Sequence, residues 1–212
     1  MKQIKTKLLE NMFHPVTSRQ IIKQALKMYV PTGKYKKRFI FANIVCIIPT
    51  VMMGISIDTY TLFLSGCEKI NNTVIAIFGI VFTGYALFQA LINNELLIRM
   101  VNDDSNNESG KNKLQETNET FTELMMLCVI SIMVNIFLGL LIASLSSDFV
   151  IFDKKECNDI IAIVLLQIYF VFHANILLEL KSFIFNTFQL FNLHAGTKII
   201  EIIEDSKKKS EE

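Results

Sequence analysis

Four long runs of uncharged, mostly apolar residues dominate the pattern of hydrophobic and polar positions along the chain. They cover residues 39–57, 70–94, 124–147 and 160–178, and none contains Asp, Glu, Lys or Arg. An α-helix rises about 1.5 Å per residue and a bilayer core is about 30 Å thick, so about 20 residues suffice to cross it. Each run reaches or nearly reaches that length, which predicts four membrane-spanning segments.

The uncharged runs argue against a soluble fold. The helices of a soluble bundle carry a charged outer face, which these runs lack. In lipid, every backbone N–H and C=O group must be satisfied within the segment, so apolar spans become helices. With 51% hydrophobic residues, the chain is predicted to be an all-α integral membrane protein. Its expected architecture is a four-transmembrane-helix bundle with amphipathic cytoplasmic helices at both ends.

The net charge of +1 conceals a strong asymmetry between the connections. Residues 1–38 hold ten Lys and Arg against one acid, whereas the connection at 58–69 holds only Lys69. On alternate sides of the four spans, eighteen basic residues fall on one side and three on the other. Basic residues stay on the cytoplasmic side of a membrane. We therefore expect a multi-pass cell-membrane protein with both termini and the 95–123 loop in the cytoplasm.

Three regions follow from this topology: a basic arm at 1–37, a four-span membrane domain at 38–187 and a cytoplasmic tail at 188–212. In the arm, apolar residues recur on one face of a helix that ends before Pro31. This helix is expected either to lie on the inner membrane surface or to pack against a cytoplasmic partner or the protein's own tail.

Two cytoplasmic segments carry further expectations. The polar, acidic stretch at 101–120 predicts a flexible connection between the second and third spans. Beyond residue 182, Phe and Ile recur at helical spacing, which predicts an amphipathic extension of the fourth helix with Gly196 as a break. Such an extension indicates an interface with lipid, with a partner chain or with the arm.

Polar residues recur at helical spacing inside the spans, where an unpaired polar group costs free energy. They predict that the helices face one another along a polar seam, denser toward the cytoplasmic leaflet. The outer half of the spans is almost entirely apolar, so the monomer is not expected to form an open channel. The seam comprises Asn43, Gln89, Asn93, Ser131, Asn135, Gln167, His173 and Asn175.

His173 is the one histidine inside a predicted span. A proton relay would need a carboxylate beside it, and Glu95 and Glu179 are the candidates at similar depth. The simpler interpretation is that His173 forms a hydrogen bond across the seam while both carboxylates reach water at the interface.

The four cysteines allow one specific covalent hypothesis. Cys46 and Cys128 fall within spans, whereas Cys67 and Cys157 fall in the two predicted outward loops. Thiols exposed outside the cell can form disulfides, so a Cys67–Cys157 bridge is one expectation and two free thiols are the other.

No motif of a catalytic or cofactor-binding kind occurs in the sequence. It lacks a phosphate-binding glycine loop, a nucleophile-elbow motif, a zinc-type Cys/His spacing and paired aspartates within the spans. We therefore predict no enzymatic activity, no cofactor, no metal site and no direct binding of nucleic acid.

The function that best fits these features is that of a small membrane anchor or interaction subunit that works as an oligomer. The expected partners are the lipid bilayer, further copies of the chain or a membrane partner subunit. A cytoplasmic protein is a further expected partner, bound through residues 1–37 and 182–204.

Two other functions fit the same topology. The first is a gated pore or membrane-disrupting effector of a bacterial defence system. In outline the chain resembles the small four-span membrane subunits of some bacterial anti-phage systems, a similarity of architecture that no motif carries. The second is a small transporter-like or immunity protein that uses the polar residues near the cytoplasmic leaflet.

Overall fold

The computed structural model describes residues 17–30, 33–102, 112–146 and 149–211, and within these ranges it contains helices and no strand. Two short 3-10 turns, Lys27–Tyr29 and Gly33–Tyr35, lie between the first two helices. The helices are α1 Ser18–Leu26, α2 Lys36–Gly54, α3 Thr59–Leu91, α4 Asn94–Asn102, α5 Lys113–Ala143 and α6 Lys155–Glu211.

Four of these helices, α2, α3, α5 and α6, are long and apolar enough to cross a membrane. The prediction of an all-helical protein with four such helices is confirmed. The helices of the bundle are longer than most of the predicted spans, because α3 has 33 residues, α5 has 31 and α6 has 57.

The four long helices pack as two antiparallel pairs, α3 with α5 and α2 with α6. We call the end of the bundle at which α2 and α5 begin the arm end, and the end at which α3 and α6 begin the far end. A core of fully buried side chains, among them Val81, Leu124 and Ile176, joins the α3–α5 pair to α6. A smaller cluster of Ala42, Cys46 and Val171 holds α2 against α6.

The outer surfaces of α2, α5 and α6 carry many exposed large apolar side chains between the arm end and the far end. We call this surface the apolar belt. A surface of this extent is typical of contact with lipid or with another protein. Its members include Ile44, Ile48, Met52, Met133, Ile136, Phe137, Leu140, Val164, Leu165 and Ile168.

The structure corrects the predicted loop at 58–69, because α3 already begins at Thr59. The Thr59 hydroxyl donates hydrogen bonds to the carbonyl oxygens of Met53 and Ser56, which fixes the tight turn after α2. Cys67 and Lys69 therefore lie within α3 instead of in a loop.

The predicted flexible connection at 101–120 is helical in its described residues apart from Asn112. The side chain of Asn93 accepts a hydrogen bond from the Leu96 N–H over 2.8 Å and so caps α4, whose Leu96 and Met100 are buried. Asn112 and Gln115 form a reciprocal capping box that starts α5 at Lys113. Residues 103–111 lie outside the described residues.

The arm helix α1 packs against α5. Thr17 and Gln20 form its capping box, Ala25 is buried, and Gln24 donates a hydrogen bond to Glu119 over 3.3 Å. Residues 1–16 of the predicted arm lie outside the described residues.

Tyr29, just after α1, connects the arm to α6. Its hydroxyl donates a hydrogen bond to the Phe172 carbonyl oxygen over 3.2 Å, and its ring stacks on Phe172 with centroids 4.9 Å apart. Burial raises the pKa of Tyr29 well above its usual range, so the hydroxyl remains a donor at neutral pH.

The last helix, α6, continues without interruption from Lys155 to Glu211. The predicted break at Gly196 does not occur. The neighbouring Thr197 is 1% exposed, and its hydroxyl donates to the Leu193 carbonyl oxygen one turn earlier. Because this position is anchored by packing, the helix continues past the glycine.

Candidate functional site: the polar contacts inside the bundle

The central polar contact of the bundle joins three helices at Asn135. The Tyr169 hydroxyl of α6 donates a hydrogen bond to Oδ1 of Asn135 over 2.9 Å. The Cys67 thiol of α3 donates to the Asn135 carbonyl oxygen over 3.4 Å. All three residues are buried. This contact therefore fixes the register of α3, α5 and α6 at one level of the bundle.

Tyr169→Phe is expected to destabilise the protein, because it removes the donor to Asn135 and retains the ring. Hydrogen bonds between membrane helices contribute about 0.6–1.7 kcal/mol, and we expect a loss in this range. Denaturation of the detergent-solubilised protein measures it. Tyr60→Phe, at the start of α3, is the matched control, and equal losses for the two variants would contradict the assignment.

Ser131 lies one helical turn from Asn135 on α5, and His173 lies one turn from Tyr169 on α6. Because the two helices are antiparallel, both Ser131 and His173 lie on the side of the arm end. The Nδ1 atom of His173 lies 2.8 Å from the Tyr169 carbonyl oxygen, which can only accept, so Nδ1 is the donor. Ser131 Oγ, Asn135 Nδ2 and His173 Nε2 are buried without a hydrogen-bond partner among the described residues. Buried polar atoms of this kind are ordinarily satisfied by ordered water.

A cavity of about 680 Å³ lies next to this polar contact, between α3, α5 and α6 in the far half of the bundle. Tyr169 and Phe172 line it on the side of the arm end, whereas Asn158 and Asp159 lie near the far end. The other lining residues are mostly Leu, Ile, Phe and Val. Such a lining suits an apolar molecule and does not suit a hydrated ion.

A second polar contact joins α2 to α6. The side-chain amide of Gln167 donates to the carbonyl oxygen of Asn43 over 3.0 Å and to its Oδ1 over 3.3 Å. Asn43 in turn donates to the Phe39 carbonyl oxygen one turn earlier. This pairing serves helix packing within the α2–α6 pair.

A third group of polar contacts lies at the arm end of the same pair. Arg38 forms an ion pair with Glu179 and donates a hydrogen bond to the Asn175 carbonyl oxygen. The Arg38 and Glu179 side chains are only 16% and 24% exposed. The Asn175 side chain is fully buried and donates to the Val171 carbonyl oxygen over 2.8 Å. One guanidinium therefore connects the start of α2 to α6.

The two remaining predicted seam residues lie beyond this ion pair. Gln89, which is exposed, donates to Asn118 of α5 over 3.3 Å. Asn93 donates a hydrogen bond to Glu201 of α6 over 3.0 Å. Glu201 also accepts a hydrogen bond from Lys198, which lowers the pKa of the Glu201 carboxyl. The structure therefore distributes the predicted seam over separate contacts between different helix pairs instead of one continuous line.

The proton-relay interpretation of His173 loses both of its candidate carboxylates. Glu179 is paired with Arg38, and Glu95 lies beside Glu201 on the extension of α6. The surroundings of His173 are instead aromatic, because its ring lies 4.4 Å from that of Tyr169 and 5.0 Å from that of Phe172.

The predicted Cys67–Cys157 disulfide is absent from the structure, in which all four described cysteines are free. Cys67 is buried in α3 against Asn135, whereas Cys157 is exposed in the first turn of α6. The two thiols therefore lie at different depths of the bundle.

The described residues hold no group of three or more His, Cys, Asp or Glu side chains that could bind a metal ion. The internal contacts join neighbouring helices through amide, hydroxyl and thiol groups, several backbone carbonyl oxygens and one ion pair. The chemistry of the interior is therefore that of helix packing around a small cavity.

Sequence reasoning missed one feature, the exposed Glu68 and Lys69 on α3. The hydropathy pattern places them in a loop because a charged residue marks the predicted end of a span. The signal that reveals them is the recurrence of small and polar residues every three or four positions from Thr61 to Thr83.

In comparisons with known proteins, no family model, no curated protein and no solved structure matches the chain.

Proposed function

We propose that this protein is a membrane anchor or interaction subunit of the cell membrane that works as an oligomer. In this proposal, both ends of the chain and the α4 segment lie on the cytoplasmic side. The eighteen basic residues at these segments support that orientation, because the far end holds only Lys154 and Lys155 once Lys69 is placed within α3.

The extension of α6 beyond the bundle carries the proposal. A helix of 57 residues is about 85 Å long, whereas a bilayer core needs about 30 Å. The extension packs Phe183 and Thr197 inward and leaves a row of apolar side chains outward. A solvated helix would place polar residues there, so this outward face indicates a binding surface. It consists of Ile199, Ile202 and Ile203 past the end of α3, and of Ile184, Phe185, Phe188 and Phe191 beside α3, where Ile184, Phe188 and Phe191 line a groove with Ala76 and Gly79.

The arm end gives this extension a rigid base. The arm helix α1 packs on α5, and α4 contacts α5 and α6. Leu96, Met100 and Leu114 are buried there together with Ala25 of the arm. Because these elements share one core with the bundle, the extension is held at a fixed orientation relative to the spans.

The test combines photo-crosslinking with a membrane-potential dye in cells that express the chain under an inducible promoter. A photo-crosslinking residue replaces Ile199 on the outward face, and another replaces Asn186, which is exposed on a different side of α6. We expect a crosslinked species of defined mass from position 199 that is absent from position 186. The membrane potential should remain intact during induction. Depolarisation on induction, or the same crosslinks from both positions, would contradict the proposal.

One observation favours a second candidate, the gated pore. The cavity of about 680 Å³ gives the far half of the bundle an internal space that reaches Tyr169. Its apolar lining would have to become wet for ions to pass. The dye in the same experiment separates the two candidates, because only a pore dissipates the potential.

A further inference from the structure

The outward face of α3 carries a polar stripe that the apolar belt lacks, flanked by exposed apolar residues such as Ile75, Ile80 and Phe82. Small and polar residues recur on it every three or four positions, which places them on one side of the helix. All of them are exposed. They are Thr61, Ser65, Glu68, Lys69, Asn72, Ala76, Gly79 and Thr83.

The charged pair of this face, Glu68 and Lys69, lies at the depth at which two of the uncharged runs have their middle. Cys67 contacts Asn135, and Asn135 contacts Tyr169, so the three lie at one level. Asn135 and Tyr169 each fall near the middle of an uncharged run, 124–147 and 160–178. Glu68 and Lys69 directly follow Cys67 and therefore lie level with the middle of these two uncharged runs, about three helical turns from the start of α3.

The surroundings at this depth are apolar. Phe137 on α5 is 65% exposed and Ile168 on α6 is 64% exposed, and each lies within two residues of the Asn135–Tyr169 contact. Neither the Glu68 carboxylate nor the Lys69 ammonium forms an ion pair within the described chain. Charges at such a depth face a protein partner or water, because lipid cannot solvate them.

We propose that a second copy of this chain covers the outward face of α3. Copies inserted in the same direction are related by a twofold axis along the bundle, which sets the two α3 helices side by side and parallel. Equal residues then meet at equal depth. Glu68 can pair with the partner's Lys69, and Lys69 with the partner's Glu68, so the face is complementary to itself.

The small residues of the same face allow close contact. Ala76 and Gly79 follow the charged pair toward the arm end, and a Cβ added at Gly79 meets no atom within 4 Å. Residues of this size let two membrane helices approach each other closely. The hydroxyl of Thr83 already donates to the Gly79 carbonyl oxygen over 2.8 Å. It therefore needs no hydrogen-bond acceptor from the second copy.

This inference rests on the proposed membrane function, because the argument from depth requires lipid around the apolar belt. A water-filled pore lined by α3 in a larger ring would also solvate the charges. Two features favour the packed dimer: the adjacent charges cancel, and the stripe continues into Ala76 and Gly79, which offer no polar side chain to water.

Charge reversal tests the dimer in native membranes. The background variant is Cys157→Ser, to which Ala76→Cys is added for oxidative crosslinking. Phe137→Cys, on the exposed side of α5, is the matched control. We expect disulfide-linked dimers from Ala76→Cys and none from Phe137→Cys.

Adding Glu68→Lys to the Ala76→Cys variant should lower the dimer yield at least about tenfold, because like charges then face each other. Adding both Glu68→Lys and Lys69→Glu should restore it, because the pairs re-form with exchanged sides. This rescue also shows that the altered chains fold. An absence of dimers, equal crosslinking of the control, or no effect of Glu68→Lys would overturn the proposal.

A ladder of larger oligomers, in which a water-soluble reagent labels the Ala76→Cys thiol, would also overturn the packed dimer and indicate a pore. Alkaline extraction of the same membranes separates this inference from the proposed function. A chain released by extraction contradicts membrane insertion itself, whereas an integral but monomeric chain contradicts only the dimer.

Discussion

Arg38→Ala is expected to lower the free energy of unfolding of the detergent-solubilised protein by about 2–3 kcal/mol. Removing one partner of a buried ion pair costs about 3–5 kcal/mol, and the partial exposure of Arg38 and Glu179 reduces that figure. The loss is large because one guanidinium serves both the Glu179 carboxylate and the Asn175 carbonyl oxygen. Chemical denaturation followed by circular dichroism measures it.

Neighbouring substitutions provide the controls for this ion pair. Lys37→Ala removes an adjacent exposed cation and should change the stability by less than about 0.5 kcal/mol. The double variant Arg38→Ala/Glu179→Gln should be more stable than the sum of the single losses predicts, because neither charge is then left unpaired. If the two single losses simply add, Arg38 and Glu179 do not interact in solution.

Gly54→Ala is expected to separate α2 from α6 at the far end and to destabilise the protein by about 1–3 kcal/mol. A Cβ at this position would lie 2.3 Å from Cγ1 of Ile163 and 3.1 Å from its backbone nitrogen. The side chain of Ile163 can rotate away, but its backbone cannot. Gly54→Val should cost more, since two further methyl groups enter the same contact.

Gly196→Ala is the matched control for Gly54, because it also lies in a helix but a Cβ there meets no atom within 4 Å. Alanine favours a helix by about 0.8–1.0 kcal/mol over glycine, so this variant should be equally stable or more stable. Thermal unfolding of the three variants in one detergent makes the comparison. A harmless Gly54→Ala would show that α2 and α6 are not in close contact there.

The four long helices could be predicted from the sequence because lipid imposes a simple rule on uncharged segments. The helix ends could not be predicted in the same way. A charge such as Lys69 predicts the end of a span, yet α3 continues through it. Likewise, the segment before Leu124 became part of α5 because Asn112 caps the helix and Leu114 and Phe121 are buried.

The polar residues of the bundle could be selected from their spacing, but their partners could not. Helical periodicity tells which side of a helix a residue occupies, not which neighbour lies there. The contact between Asn43 and Gln167 depends on α2 packing along α6, which no local pattern specifies. The contact between Asn135 and Tyr169 depends on the relative depth of α5 and α6, which the connection between them sets.

The uninterrupted course of α6 also has a mechanical consequence. Each residue of a helix turns the chain by about 100° around the helix axis. In a helix without a break, the angle between two distant side chains is therefore fixed by the number of residues between them. Torsion applied to the part of α6 beside Tyr169 would therefore reach the outward face at Ile199 and Ile202. One residue inserted at position 186 would turn that face by about 100° while the spans stay in place.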